Sequence, residues 1–322
     1  MPENGRKWDR RIARARELAG TYPFAREILL FYSQLADFQK SSYLAYPPAS
    51  FSGSHGRDSL PATLDEIEQL LLRWRPFLSL LEAQAPGPLA EFARKFKAND
   101  VAAASALLRA AWPRTGDPLF DNSTVSPLKR VSGCDNSALS PLGERRGEGA
   151  FSSPRRTGEG VPTILAEDRA QSADYERFCT YAFLQPFAEF LADHADTPRP
   201  EVRLSTCPYC GSPPLVGVLR PEGEGAKRSL ICAFCRTEWD YLRIACPACN
   251  ERREENLCVY STPKFEGVRV EACETCKAYI KTVDLAHNGL AVPEVDDLAA
   301  VPLDLWAVEN GYHRATRNLL YF

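Results

Sequence analysis

Eight of the chain's eleven cysteines stand in four Cys-x-x-Cys pairs: Cys207/Cys210, Cys232/Cys235, Cys246/Cys249 and Cys273/Cys276. A two-residue gap lets both sulfurs of a short turn face one point, and two such turns supply the four corners a tetrahedral metal needs. Four turns therefore predict two sites. One pair alone would be weak evidence, but four between Cys207 and Cys276 are strong. Disulfides need an oxidising compartment. The chain opens MPENGRKWDRR, with no apolar core of a secretory signal. A thioredoxin-type redox pair occurs once and beside a βαβ pattern, which is missing. Metal binding leads, with catalytic dithiols the alternative.

Spacing also suggests which pairs act together. Twenty-one residues separate Cys210 from Cys232 and twenty-three separate Cys249 from Cys273, against ten between Cys235 and Cys246. A duplicated unit of knuckle, hairpin and knuckle fits these gaps. Site one then uses Cys207, Cys210, Cys232 and Cys235; site two uses Cys246, Cys249, Cys273 and Cys276. An interleaved cross-brace is the less favoured grouping. Beyond the second cysteine of a knuckle the chain often turns left-handed. Gly211 and Asn250 tolerate positive φ there, whereas Arg236 and Lys277 suit it less well. These two cations either offset thiolate charge or are ordinary surface residues.

The segments between knuckles read as strands. PPLVGVLRP and RSLICAFCRTEWDYLRIAC are separated by a Gly-rich turn at Glu222 to Gly225, and ENLCVYSTPKFEGVRVEACETC gives a strand, a turn near Lys264 to Gly267 and a second strand. Cys258 falls inside a predicted strand, outside the Cys-x-x-Cys spacing, and reads as a small buried apolar residue. Four thiolates suit either a structural zinc or a single rubredoxin-type iron.

Zinc ribbons often bind nucleic acid, but charge argues against that here. Residues 201–285 carry twelve Lys/Arg and twelve Asp/Glu. Two occupied Cys₄ sites would add about −4 to the chain's formal −3, since each sets four thiolates against one divalent ion. A nucleic-acid domain would instead be basic. Membrane insertion is not predicted either: no run approaches the roughly 18 apolar residues of a spanning helix.

The first half reads helical: Trp8 to Ala19, Pro23 to about Gln39, a segment opened by a Thr63/Glu66 capping box and carrying Pro76, Leu89 to Lys97, Val101 to Trp112, and Asp174 to Ala195. Pro76 predicts a kink. Cys179 shares a helix face with Phe183 and Phe187, which predicts burial. Cys134 lies in an insert at residues 122–161 rich in Ser, Gly, Pro and Arg, a composition that predicts a flexible, dispensable loop. His55, His194, His287 and His313 are read as bystanders. After the knuckles, VDDLAAVPLDLWAVENGY predicts one or two short helices docking on the helical part or on a partner. The fold class is α+β. Its predicted domains are 1–198 helical, 199–243 and 244–285 as tandem rubredoxin-like or zinc-ribbon modules, and 286–322 as a C-terminal helical segment.

EILLFYSQLADFQ, CPYCGSPP, CAFCRTEW, CPACN, CETCKAYIK and PLDLWAVENGY, in this order, make the chain similar to the formate dehydrogenase accessory protein family, FdhE. The resemblance covers nearly the whole chain outside the insert. It implies a cytoplasmic, non-catalytic assembly factor that binds the catalytic subunit of respiratory molybdenum formate dehydrogenase before export. It further implies rubredoxin-like sites holding iron or zinc on the eight knuckle cysteines. Arg236 and Asn250 depart from the glycine that follows the cysteines of the family pattern. The competing readings are a rubredoxin-like electron carrier and a zinc-ribbon nucleic-acid binder.

Overall fold

Trp8, Ile12, Ala15 and Leu18 recur at steps of three and four and share the buried face of the first helix, α1 (Glu3–Thr21). The same period places Leu29, Tyr32, Leu35, Ala36 and Tyr43 inward on α2 (Arg26–Leu44), after a short 3₁₀ turn at Pro23–Ala25. The computed structural model describes residues 3–46, 64–97, 104–108, 162–195, 204–316, 318 and 320. Within them α3 (Leu64–Gln84) runs through Pro76, α4 (Gly87–Lys97) follows, and 104–108 are helical. The cap at Thr63, His55, Cys134 and the 122–161 insert lie outside the described residues.

Helix α5 (Pro162–His194) is the centre of this bundle and begins well before the Asp174 read from the sequence. From Phe178 to Leu191 every residue is buried, so its surface is enclosed on all sides. Phe183 meets Trp74 edge-on at 4.8 Å between ring centroids, and Cys179 is fully buried as its helix face predicted. Each fully buried side chain of this size contributes about 1.5–3 kcal/mol, which is what offsets the conformational entropy of ordering the helices. Two of the polar residues caught on α5 are partnered there: Thr180 donates to the Glu176 carbonyl at 2.9 Å, and Glu189 pairs with Arg11 at 2.9 Å.

The remainder is one seven-stranded sheet. Strands β1 (Pro214–Glu222), β2 (Gly225–Cys232) and β3 (Glu238–Asp240) form an antiparallel meander, and β4 (Leu257–Ser261), β5 (Val268–Cys273) and β6 (Ala278–Asp284) form a second. The two meanders are fused edge to edge, because β1 pairs parallel with β6 in the register Gly217↔Thr282. A short β7 (His313–Arg314) also pairs with β6. Helices α6 (Pro293–Ala299) and α7 (Val301–Glu309) pack on the sheet. Tethering comes partly from charge. Lys281 is completely buried, and its Nζ donates to the Asp297 carbonyl at 2.5 Å and to Asp304 at 2.6 Å. Arg314 reaches Asp297 at 2.6 Å and Asp304 at 2.7 Å, so two cations face two carboxylates and the buried charge cancels.

Helices and sheet share a hydrophobic core that takes in the first four knuckle cysteines. Phe234, between Cys232 and Cys235, meets Tyr181 of α5 at 5.2 Å. Arg11 and Arg14 of α1 clasp α6 through Glu294 and through Asp296, the latter at 2.6 Å. Among the described residues no helix is long and apolar enough to cross a membrane.

Candidate metal centres

The four knuckles fold alike. The backbone N–H of Gly211 donates to the Cys207 carbonyl at 3.0 Å, that of Asn250 to Cys246 at 2.9 Å, and that of Lys277 to Cys273 at 2.8 Å. Closing so tight a turn drives the residue after the second cysteine left-handed: φ is +77° at Gly211, +58° at Arg236, +60° at Asn250 and +60° at Lys277. All four knuckles therefore make the same turn, and at Arg236 and Lys277 the side chain is accommodated against its preference, at about 1–2 kcal/mol each. Neither cation is idle. With the amide of Gln185, on α5, turned so that its oxygen accepts, Arg236 Nη2 donates to it at 2.8 Å. Lys277 pairs with Glu274 and lies over the Tyr312 ring at 5.4 Å.

These turns bring the sulfurs of Cys207, Cys210, Cys232 and Cys235 together, and separately those of Cys246, Cys249, Cys273 and Cys276, each set within 4.8 Å of one another. The grouping is sequential, not cross-braced. Cys207 and Cys235 sulfurs are 3.6 Å apart, Cys210 and Cys232 3.4 Å, Cys246 and Cys276 3.7 Å, and Cys249 and Cys273 3.7 Å. A disulfide would need about 2.05 Å. A tetrahedron with metal–sulfur bonds of about 2.3 Å has edges of about 3.8 Å, so both sets fit one ion each in size and donor type. Cys179 is buried elsewhere as a free thiol; Cys258 is buried in β4 but disulfide-bonded, not the plain apolar residue its strand predicted; neither cluster includes a histidine.

The sulfurs compete for charge. Burial pushes the Cys232 and Cys235 thiols up; at Cys210 burial is outweighed by hydrogen bonds from Cys207, Cys232 and Cys235, which hold it well below its ordinary value. In the second set, hydrogen bonding with Cys273 pushes Cys246 up to about 12, while Cys246 and Cys276 pull Cys273 down. Four thiolates this close coexist only around a cation.

Supporting residues escaped the sequence reading. Thr237 Oγ1 lies 3.1 Å from Cys235 Sγ, and the Phe234 N–H donates to Cys232 Sγ at 3.3 Å. Glu251 follows the third knuckle yet accepts from Thr275 in the fourth at 2.6 Å, from Asn256 at 3.0 Å and from Arg253 at 2.8 Å. Arg253 and then Thr275 hold its carboxyl well below the usual range. The carboxylate directly after CPACN was the one available signal, and it reads as any surface acid until the fold places Thr275 opposite.

The FdhE central-domain model matches residues 206–243 and the FdhE C-terminal-domain model residues 244–321. Over residues 206–321 this chain is therefore similar to the FdhE family. An FdhE homolog of Aquifex aeolicus is 36% identical over 151 residues, covering 46% of this chain and 53% of its own. One from Pseudomonas putida is 33% identical over 172 residues, 52% of this chain and 54% of its own. The chain thus spans about half the length of these curated relatives. The crystal structure of the FdhE protein from Pseudomonas aeruginosa superposes with a TM-score of 0.59 at 21% identity, over 97% of this chain and 95% of that one, a likeness of fold.

Proposed function

We propose that this chain is a cytoplasmic, non-catalytic accessory factor that binds the catalytic subunit of a molybdenum formate dehydrogenase during its maturation. In this reading Cys207, Cys210, Cys232 and Cys235 hold one iron or zinc ion, and Cys246, Cys249, Cys273 and Cys276 hold another. The observation that carries it is the pair of Cys₄ clusters built into one sheet, in the region that matches the FdhE domains. With four protein sulfurs at each cluster, no coordination position is left for a substrate or water, which supports a structural or docking role over catalysis. A bound ion supplies cross-linking and, if it is iron, a one-electron couple. The chain's own residues do the rest: the left-handed turns aim the sulfurs, Thr237 and backbone N–H groups stabilise thiolates, and Glu251 joins the second pair of knuckles.

Anaerobic co-purification from a formate dehydrogenase-producing cell, with elemental analysis of the eluate, tests this. The expected result is the catalytic subunit together with two metal ions per chain. Binding that survives loss of all eight knuckle cysteines unchanged would remove the clusters from the docking role. Partial exposure of the second cluster supports a rubredoxin-like electron carrier as the second reading; colourless protein with stoichiometric zinc would remove that one.

A further inference from the structure

From the unlike surroundings of the two clusters we infer that the second is an exchange site, able to pass its ion to an incoming thiolate, while the first is a permanent staple. The inference rests on the reading that both clusters hold ions. Cys207, Cys210, Cys232 and Cys235 are at most 5% exposed and are walled in by Tyr209, Phe234 and the helical core. No ligand reaches that cluster without parting sheet from helices. In the second cluster Cys246 and Cys273 are buried, but Cys249 is exposed and Cys276 half-buried. A cleft of about 260 Å³ between the Arg243–Pro247 linker and β4/β5 also opens beside Cys246 and Cys273.

Two further features suit exchange. Glu251 joins the third and fourth knuckles through Thr275 and Asn256, so the two turns stay together while an ion is away and its sulfurs take up protons. Arg243 and Arg252 are exposed beside the cluster, and their guanidinium groups find only the Ala226 carbonyl and Asn250 Oδ1. Among the described residues neither has a carboxylate partner, which favours an anionic entering ligand. The step is a ligand substitution. The bond to Cys249 Sγ breaks, a bond to the entering thiolate forms, and Cys249 takes a proton from solvent; the oxidation state of the ion is unchanged.

The test uses the full-length, metal-containing protein mixed with EDTA and glutathione. Native mass spectrometry counts retained ions over time, while iodoacetamide labelling maps freed cysteines. One ion should leave on the order of tenfold faster than the other or more, with Cys249 and Cys276 labelled first and Cys207, Cys210, Cys232 and Cys235 protected. Cys249→Ser should retain only the slow ion. Two ions leaving at a single rate, or early labelling of the first four cysteines in the unmodified chain, would overturn the inference. Protein isolated with no ion at all would instead overturn the reading beneath it.

Discussion

Gly217 shows how much one hydrogen atom in place of a side chain can decide. A Cβ there would lie 2.3 Å from Thr282 Oγ1, across the parallel pairing that fuses the two meanders. Gly217→Ala should lower stability by about 1–3 kcal/mol in urea unfolding, and adding Thr282→Ala should restore part of it. If the single change is neutral, the seam is looser than the contact implies. The sequence pointed to no such role, because a glycine in PPLVGVLRP reads only as a weak spot in a strand. At the knuckles the logic is reversed. Lys277 holds φ +60° because the turn of its own knuckle, closed by its N–H to the Cys273 carbonyl, demands it, not because lysine prefers it. Lys277→Gly should therefore stay within about 1 kcal/mol of the parent, relief of strain offsetting added freedom in the unfolded chain. Lys277→Val should cost more than that by the same measurement, since a β-branched residue resists positive φ.

Between elements, the clasp of α1 on α5 and α6 is ionic and buried. Arg11 is 6% exposed and faces Glu189 and Glu294, both also buried. Burial opposes ionising the two carboxyls, but Arg11, with Lys7 at Glu189 and Arg236 at Glu294, outweighs it and holds both below the usual range. A carboxyl depressed on folding stabilises the fold above its unfolded value, and that stability is lost as pH falls through the folded value. Thermal stability should thus be flat above about pH 5, past the ordinary glutamate value of about 4.3, and fall below it. Arg11→Met should cost about 3–5 kcal/mol at neutral pH, because two buried carboxylates lose their shared partner and keep only Lys7 at Glu189 and the field of Arg236 at Glu294. Adding Glu189→Gln and Glu294→Gln should recover much of that loss; no recovery would mean that Arg11 acts through packing on Trp8, over which it lies at 4.6 Å. The helical period of α1 was plain in the sequence, but nothing in it named partners for its arginines. Only the position of α6, nearly three hundred residues on, gives them partners.

For the whole molecule, the clusters tie structure to metal supply. Stripping both ions should lower the thermal transition steeply, followed by near-ultraviolet circular dichroism, since site formation and folding share one free energy. Cys232→Ser should cost more than Cys276→Ser, because the first cluster lies inside the core that joins helices to sheet and the second lies at the surface. Equal losses would contradict that placement. What the linear chain settled alone was local: Cys-x-x-Cys spacing makes a sulfur turn whatever surrounds it, the three-to-four period marks helices, and β-branched or aromatic runs between turns mark most strands. Strand β6 escaped because AYIKTVD places buried Lys281 and Thr282 where polarity suggests exposure. That strand is the seam of the sheet. Its pairing with β1, the ion partners of Lys281 and Arg11, and the unequal burial of two nearly identical clusters all arise between residues far apart in the chain. Their energies depend on the dielectric and the neighbours each group meets, and those exist only once the chain has closed on itself.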